Sequence, residues 1–180
     1  MNIISKLFNF FRLFGKIRHK IRIKNAKKVS KKLLEIKNNN NNYKAISFVY
    51  IRKINPFVFE ELILSSIEKQ GKIIKRNKSY SNDGGLDGIF YDKKYGKVLI
   101  QSKRYKSYIS KKHVEEFLDI VKKNNYKGIF VHTGKTGKYT KLLEDENVCF
   151  ISGENLIDLI NNDKNIDSIL NKKFGDKTWK

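Results

Sequence analysis

Four side chains in the middle of this 180-residue chain have the types and spacing to do chemistry together. Asp87 follows the turn-forming run Asp83-Gly84-Gly85 and opens a segment that soon becomes apolar at Ile89 and Phe90. Gln101 and Lys103 stand two residues apart after Val98-Leu99-Ile100, and the period of two in a β-strand puts both on one face. Hairpin pairing through Lys94-Tyr95-Gly96 brings Asp87 beside them. The fourth residue is Glu60. On a helix it shares a stripe with Ile63, Leu64 and Ile67, at i, i+3, i+4 and i+7, whereas Glu61 falls on the opposite, polar side with Glu68. A carboxylate on a core-facing stripe either reaches water at the helix rim or is paired, hydrogen-bonded or near a metal, because burying it alone is costly.

Such a set suits phosphodiester hydrolysis. A hard divalent cation takes oxygen ligands, and Asp87, the Gln101 side-chain carbonyl and the backbone carbonyl of Ser102 can supply them. Glu60 can complete that shell or a second one. A cation so held polarises a phosphate and acidifies a water. Lys103 can orient or deprotonate that water and neutralise charge growing on the phosphate oxygens. Taken alone, Asp followed by Gln-x-Lys is a pattern that a Lys-rich chain produces often by chance.

The elements that must position these residues are legible around them. Residues 56–70 form a helix, with Asn55 as N-cap and Pro56, the only proline, at its first position. Residues 71–76 are a strand, Ser79 to Gly85 a loop, and 87–92 and 97–104 the two strands of the hairpin. An amphipathic helix over 111–124 aligns Val114, Phe117, Leu118 and Val121. A strand at 127–132, a helix near 137–145, a strand at 147–151 and a helix near 154–161 follow. This order implies an α/β fold, a mixed sheet with helices on both faces. Upstream, residues 1–24 read as a basic amphipathic helix with Ile3, Leu7, Phe10, Phe14, Ile17 and Ile21 on its apolar side. A second basic stretch runs to Lys37. The low-complexity run Asn38 to Asn42 reads as a linker. The expected division is a basic helical extension with linker over 1–42 and a catalytic domain over 43–180.

Thirty-nine Lys+Arg against eighteen Asp+Glu give a net charge of +21. The excess is concentrated in two blocks. Residues 1–42 carry +11 and residues 69–112 carry +10, so the rest of the chain is neutral in sum. A chain of this kind binds polyanions: DNA, RNA or an acidic membrane surface. Cys149, the only cysteine, sits in the apolar run Val148-Cys149-Phe150-Ile151 and reads as a buried strand residue. One cysteine excludes an internal disulfide and a Cys/His metal cluster. No apolar run approaches the ~18 residues of a membrane span, and basic residues interrupt the N-terminal apolar positions where a secretory signal would need an unbroken run. The expected compartment is a reducing one, the cytoplasm.

From Asn55 to about Ile160 the chain resembles the Mrr-like restriction endonuclease domain, a branch of the PD-(D/E)XK nuclease superfamily. The matching residues are Phe59-Glu60-Glu61-Leu62 and Gly71, then Asp83-Gly84-Gly85-Leu86-Asp87-Gly88, then Gln101-Ser102-Lys103-Arg104-Tyr105. Val114 and Phe117, then Gly128-Ile129-Phe130-Val131 with Thr133-Gly134, complete the series. The resemblance implies a restriction-endonuclease-like sheet and a catalytic trio of Asp87, Gln101 and Lys103 assisted by Glu60. Gln in place of an acid before the x-Lys is usual in that family. The resemblance also implies Mg²⁺ (or Mn²⁺) dependence, with Asp87, Gln101 and Glu60 toward the metal, and double-stranded DNA as substrate. Two features depart from the pattern. His132 stands where such domains often carry a small or hydroxyl residue, and the 42 residues ahead of the domain are too few for the winged-helix DNA reader of longer members.

Arg76, Lys78, Arg104, Lys106, Lys111 and Lys112 surround the motif strands and are the expected phosphate contacts. His113 and His132 are each isolated in sequence and read as structural or surface residues. Thr133-Gly134-Lys135-Thr136-Gly137 lacks Walker spacing and reads as a strand-to-helix turn. The helix over 1–24 has three readings: packing on the domain or on a second copy in a homodimer, lying on an anionic membrane, or gripping DNA. The resulting expectation is a metal-dependent, restriction-type DNA endonuclease. The alternative is a non-catalytic DNA-binding module with a degenerate nuclease site.

Overall fold

In the computed structural model, residues 3–77, 86–137 and 145–175 are described, residues 3–14 and 16 by their backbone alone. Helices α1 (Ile3–Asn39), α2 (Tyr43–Ile51) and α3 (Pro56–Lys69) come first. Strands β1 (Lys75–Arg76), β2 (Gly88–Asp92) and β3 (Gly96–Lys103), helix α4 (Lys111–Asn124), strands β4 (Lys127–His132) and β5 (Val148–Ile151), and helices α5 (Gly153–Ile160) and α6 (Ile166–Phe174) follow. The sheet has the order β1-β2-β3-β4-β5. The β1–β2 and β2–β3 pairs are antiparallel, and β3–β4 and β4–β5 are parallel. The expected mixed sheet flanked by helices is therefore what forms.

The two faces of the sheet bury different partners. Val98, Ile100, Ile129, Val131, Cys149 and Ile151 pack with α3, α5 and α6. Leu99, Phe130 and Val148 pack with Val114, Phe117, Leu118 and Val121 of α4. The approach of α4 is close: a Cβ on Gly128 would stand 2.7 Å from Val121 Cγ2 and 2.9 Å from the Phe117 ring. Helix α3 starts as its residues dictate. The Asn55 side chain accepts the Phe57 N–H at 2.9 Å, which satisfies one of the donors left over at a helix start.

Three expectations need correction. First, α1 does not end at residue 24. It is one helix to Asn39, and Ala26, Val29, Leu33 and Ile36 enter the same core as Phe59 and Leu62 of α3. The Asn run supplies the last turn of α1 and a short turn into α2 rather than an extended linker. Second, Ile17 and Ile21, read as part of the apolar stripe, are 45% and 51% exposed; the packed stripe lies on the other side. Third, the strand over 71–76 shrinks to Lys75–Arg76, and Ile73 is left almost fully exposed. Lys78, the 79–85 loop and most of the 137–145 helix lie outside the described residues. No described helix is long and apolar enough to cross a membrane.

Candidate active site

Asp87 lies just before β2 and is tied to β3 twice over. Its N–H donates to the Ile100 carbonyl at 2.9 Å. Its carboxylate oxygen Oδ2 accepts from the Ser102 N–H at 2.6 Å and from the Ser102 hydroxyl at 2.5 Å. A carboxylate thus fills the place a backbone carbonyl would take in the ladder, which fixes it at the end of the sheet. Alternation along β3 sends Val98 and Ile100 to the α3 side and Leu99 to the α4 side, so Gln101 and Lys103 continue the Leu99 side. The positive charge of Lys103 is accordingly felt by His113 on α4. Gln101 is 2% exposed, and its Oε1 has no hydrogen-bond partner among the described residues. A buried acceptor in that state calls for a donor or a cation.

Glu60, on the second turn of α3, comes from the other side of the sheet, and its carboxyl feels the charges of Asp87 and Lys103. Burial pushes its carboxyl up to about 8, the negative charge of Asp87 adds to the rise, and Lys103 and Arg22 oppose it. Burial likewise pushes Asp87 up to about 6, against the two Ser102 hydrogen bonds and the Lys103 charge. Two buried carboxyl groups held above their ordinary range would be relieved, on losing their protons, by a nearby positive charge. Asp87, Glu60 and Gln101 offer oxygen donors for one, the ligand chemistry of Mg²⁺ and Mn²⁺. Among the described residues no cluster of three or more His, Cys, Asp or Glu side chains could hold an ion unaided. Backbone carbonyl, water and phosphate oxygens would have to complete the shell.

The helical wheel puts Glu61 on the polar side of α3, and the structure reverses this. Glu61 is 3% exposed. It pairs with Arg76 Nε at 3.0 Å and with His19 Nδ1 of α1 at 3.0 Å. The cause is α1, which covers the side of α3 that an isolated helix would show to water. Arg76 also grips Glu68 through both terminal nitrogens, at 2.9 and 2.8 Å. Arg76 is thereby engaged by two carboxylates, which hold its guanidinium well above the ordinary range. Sequence reasoning missed this His19–Glu61–Arg76–Glu68 cluster. It also missed Arg22 of α1, whose guanidinium carbon lies 4.0 Å over the Phe57 ring and whose charge reaches Glu60.

The other expected phosphate contacts are placed as follows. Arg104 donates to the Arg52 carbonyl at 2.8 Å, and Lys106 is exposed beside it. Lys111 and Lys112 are exposed on α4 and pair along the helix with Glu115 and Glu116, at 3.1 and 3.9 Å. Lys78 lies outside the described residues. His132 is buried, with Nδ1 3.2 Å from the Gly134 carbonyl. Burial pulls it down to about 4, so it is neutral at pH 7. The Thr133–Lys135 turn is tied to the loop after β3. Thr133 Oγ1 bonds both the N–H and the carbonyl of Tyr105, each at 2.8 Å, and the Lys135 N–H donates to Ser107 at 2.9 Å.

A mixed sheet that brings paired carboxyls, an unpartnered amide oxygen and a lysine to one strand end has the layout of a nuclease of the restriction-endonuclease type. Comparison with known families agrees. The restriction endonuclease family model of the Mrr catalytic type matches residues 51–160, more than half of the chain, and the chain belongs to this family. No curated protein and no solved structure matches it.

Proposed function

We propose that the protein is a metal-dependent, restriction-type endonuclease that hydrolyses phosphodiester bonds in double-stranded DNA. The observation that carries this reading is the buried, unpartnered Gln101 Oε1, one residue along β3 from the Ser102 that anchors the Asp87 carboxylate through two hydrogen bonds. Asp87, Gln101 Oε1, the Ser102 carbonyl and Glu60 would hold Mg²⁺ or Mn²⁺. When bound, the ion supplies Lewis-acid polarisation of the phosphate and an acidified water. The chain's own residues do the rest. Ser102 keeps Asp87 from swinging away. Glu60 gives up the proton that burial and Asp87 leave on it. Lys103 orients the attacking water and neutralises charge on the phosphate oxygens.

The test is cleavage of methylated and unmethylated duplex DNA and of branched junctions by the purified chain, with Mg²⁺, Mn²⁺ or EDTA. Cutting or nicking with either metal, stopped by EDTA and by Asp87→Ala, is the expected result. DNA binding that is indifferent to both changes, with no cleavage of any substrate, would make the protein a non-catalytic DNA-binding module instead.

A further inference from the structure

A second concave surface adjoins the catalytic strand end. Directly after Lys103 the chain turns away from the sheet, and Arg104 and Lys106 form one wall of a groove of about 590 Å³. Arg52 and Lys53, between α2 and α3, form the other wall, and Asn55 and Pro56 also line it. Mutual hydrogen bonds join the walls. Arg104 Nη1 donates to the Arg52 carbonyl at 2.8 Å, and Arg52 Nη2 donates to the Lys106 carbonyl. No carboxylate lines the groove. Some cations elsewhere are taken up by acids: Arg76 by Glu61 and Glu68, Lys72 by Asp92 and Asp167, Lys44 by Asp158. The four groove cations have no ion pair among the described residues. Arg22, over the Phe57 ring two residues past Asn55, continues the positive line along α3 toward Glu60.

Four unneutralised cations fixed in one concavity repel one another, so a polyanion is the ligand that relieves them. The groove runs into Arg104, the residue that follows Lys103. We propose that the groove of Arg52, Lys53, Arg104 and Lys106 seats the sugar–phosphate backbone of the DNA flanking the scissile bond. This rests on the nuclease reading and adds how the substrate is held. Positioning comes from backbone contact, which is independent of sequence.

The test separates the two ideas by reading binding without cleavage. Labelled duplex DNA is titrated, by fluorescence anisotropy in EDTA, with the full chain carrying Asp87→Ala. Lys53→Glu and Lys106→Glu are added together to it. A control carries Lys93→Glu and Lys94→Glu, exposed residues of the β2–β3 turn, with the same change in net charge. Each lysine that no longer neutralises a phosphate lowers the salt slope by about 0.9. For the groove pair, the fall in affinity between 50 and 200 mM salt should therefore be about twelve-fold smaller, and the control keeps the parent slope. A groove pair that binds no more weakly than the control pair, or keeps the parent slope, overturns the proposal. Loss of binding in the groove pair alone, with a wild-type chain that cuts nothing, would sink the nuclease reading and leave the groove standing.

Discussion

The buried Asp87 carboxyl should make the metal-free protein less stable than its own Asp87→Asn variant. Asn has the shape of Asp, and its side-chain oxygen can still accept the two Ser102 bonds. Its amide carries no charge to bury. Burial, with a small further push from the charge of Glu61, raises Asp87 from 3.8 to about 6. That is about two pKa units at 1.36 kcal/mol each, on the order of 3 kcal/mol as a ceiling. The direction is the reverse of the usual salt-bridged aspartate. The unfolded chain loses the proton first, so folding is penalised as pH rises from about 4 to about 6, and the full penalty stands above that. Asp87→Asn should therefore unfold at a higher temperature than wild type at pH 8 in EDTA. The ceiling corresponds to roughly 6–12 °C for a chain of this size. The gap should close near pH 4. Scanning calorimetry of both proteins at pH 4 and pH 8 decides it, provided the transitions are reversible. A variant that is equally or less stable at pH 8 would refute the idea that the site concentrates unfavourable negative charge.

Two further changes test the frame around the site. Glu61→Gln keeps an acceptor for Arg76 or His19 but removes the charge that both surround; because Glu68 still holds Arg76, the loss should be about 2–4 kcal/mol in urea unfolding at pH 7, and no loss would mean that the cluster is replaceable. Gly128→Ala should cost about 1–3 kcal/mol, since the new Cβ meets Val121 and Phe117 below 3 Å; it should lower the unfolding temperature while leaving DNA affinity unchanged.

What the sequence made legible was local. The strand β3 could be read from Val98-Leu99-Ile100 because buried strands are continuous apolar runs, and period two then assigned Gln101 and Lys103 to one face. Helix α4 was readable to the residue, because its single buried side carries Val114, Phe117, Leu118 and Val121. Helices α2 and α6 left no clear periodic signal, being nine residues each with only two or three fully buried side chains to mark a face. The hairpin implied that Asp87 would approach β3, but not that Ser102 would be its partner, which depends on the carboxylate replacing a ladder carbonyl.

The misreading of Glu61 shows where a one-helix picture stops. A wheel asks which side of α3 meets the core and assumes that the other side meets water. Here α1 lies on that other side, and its own packed stripe of Ala26, Val29, Leu33 and Ile36 starts where the basic helix was expected to have ended. A carboxylate under such a cover has to be paired, and His19 and Arg76 pair it. Glu61 is thus committed to holding α1, α3 and β1 together. Glu60, one residue earlier and turned by about 100°, remains the carboxyl of α3 that interacts with Asp87 and Lys103. Of the two adjacent glutamates, Glu61 is the one taken up by anchoring, and that is set by a helix that begins before the matched family segment.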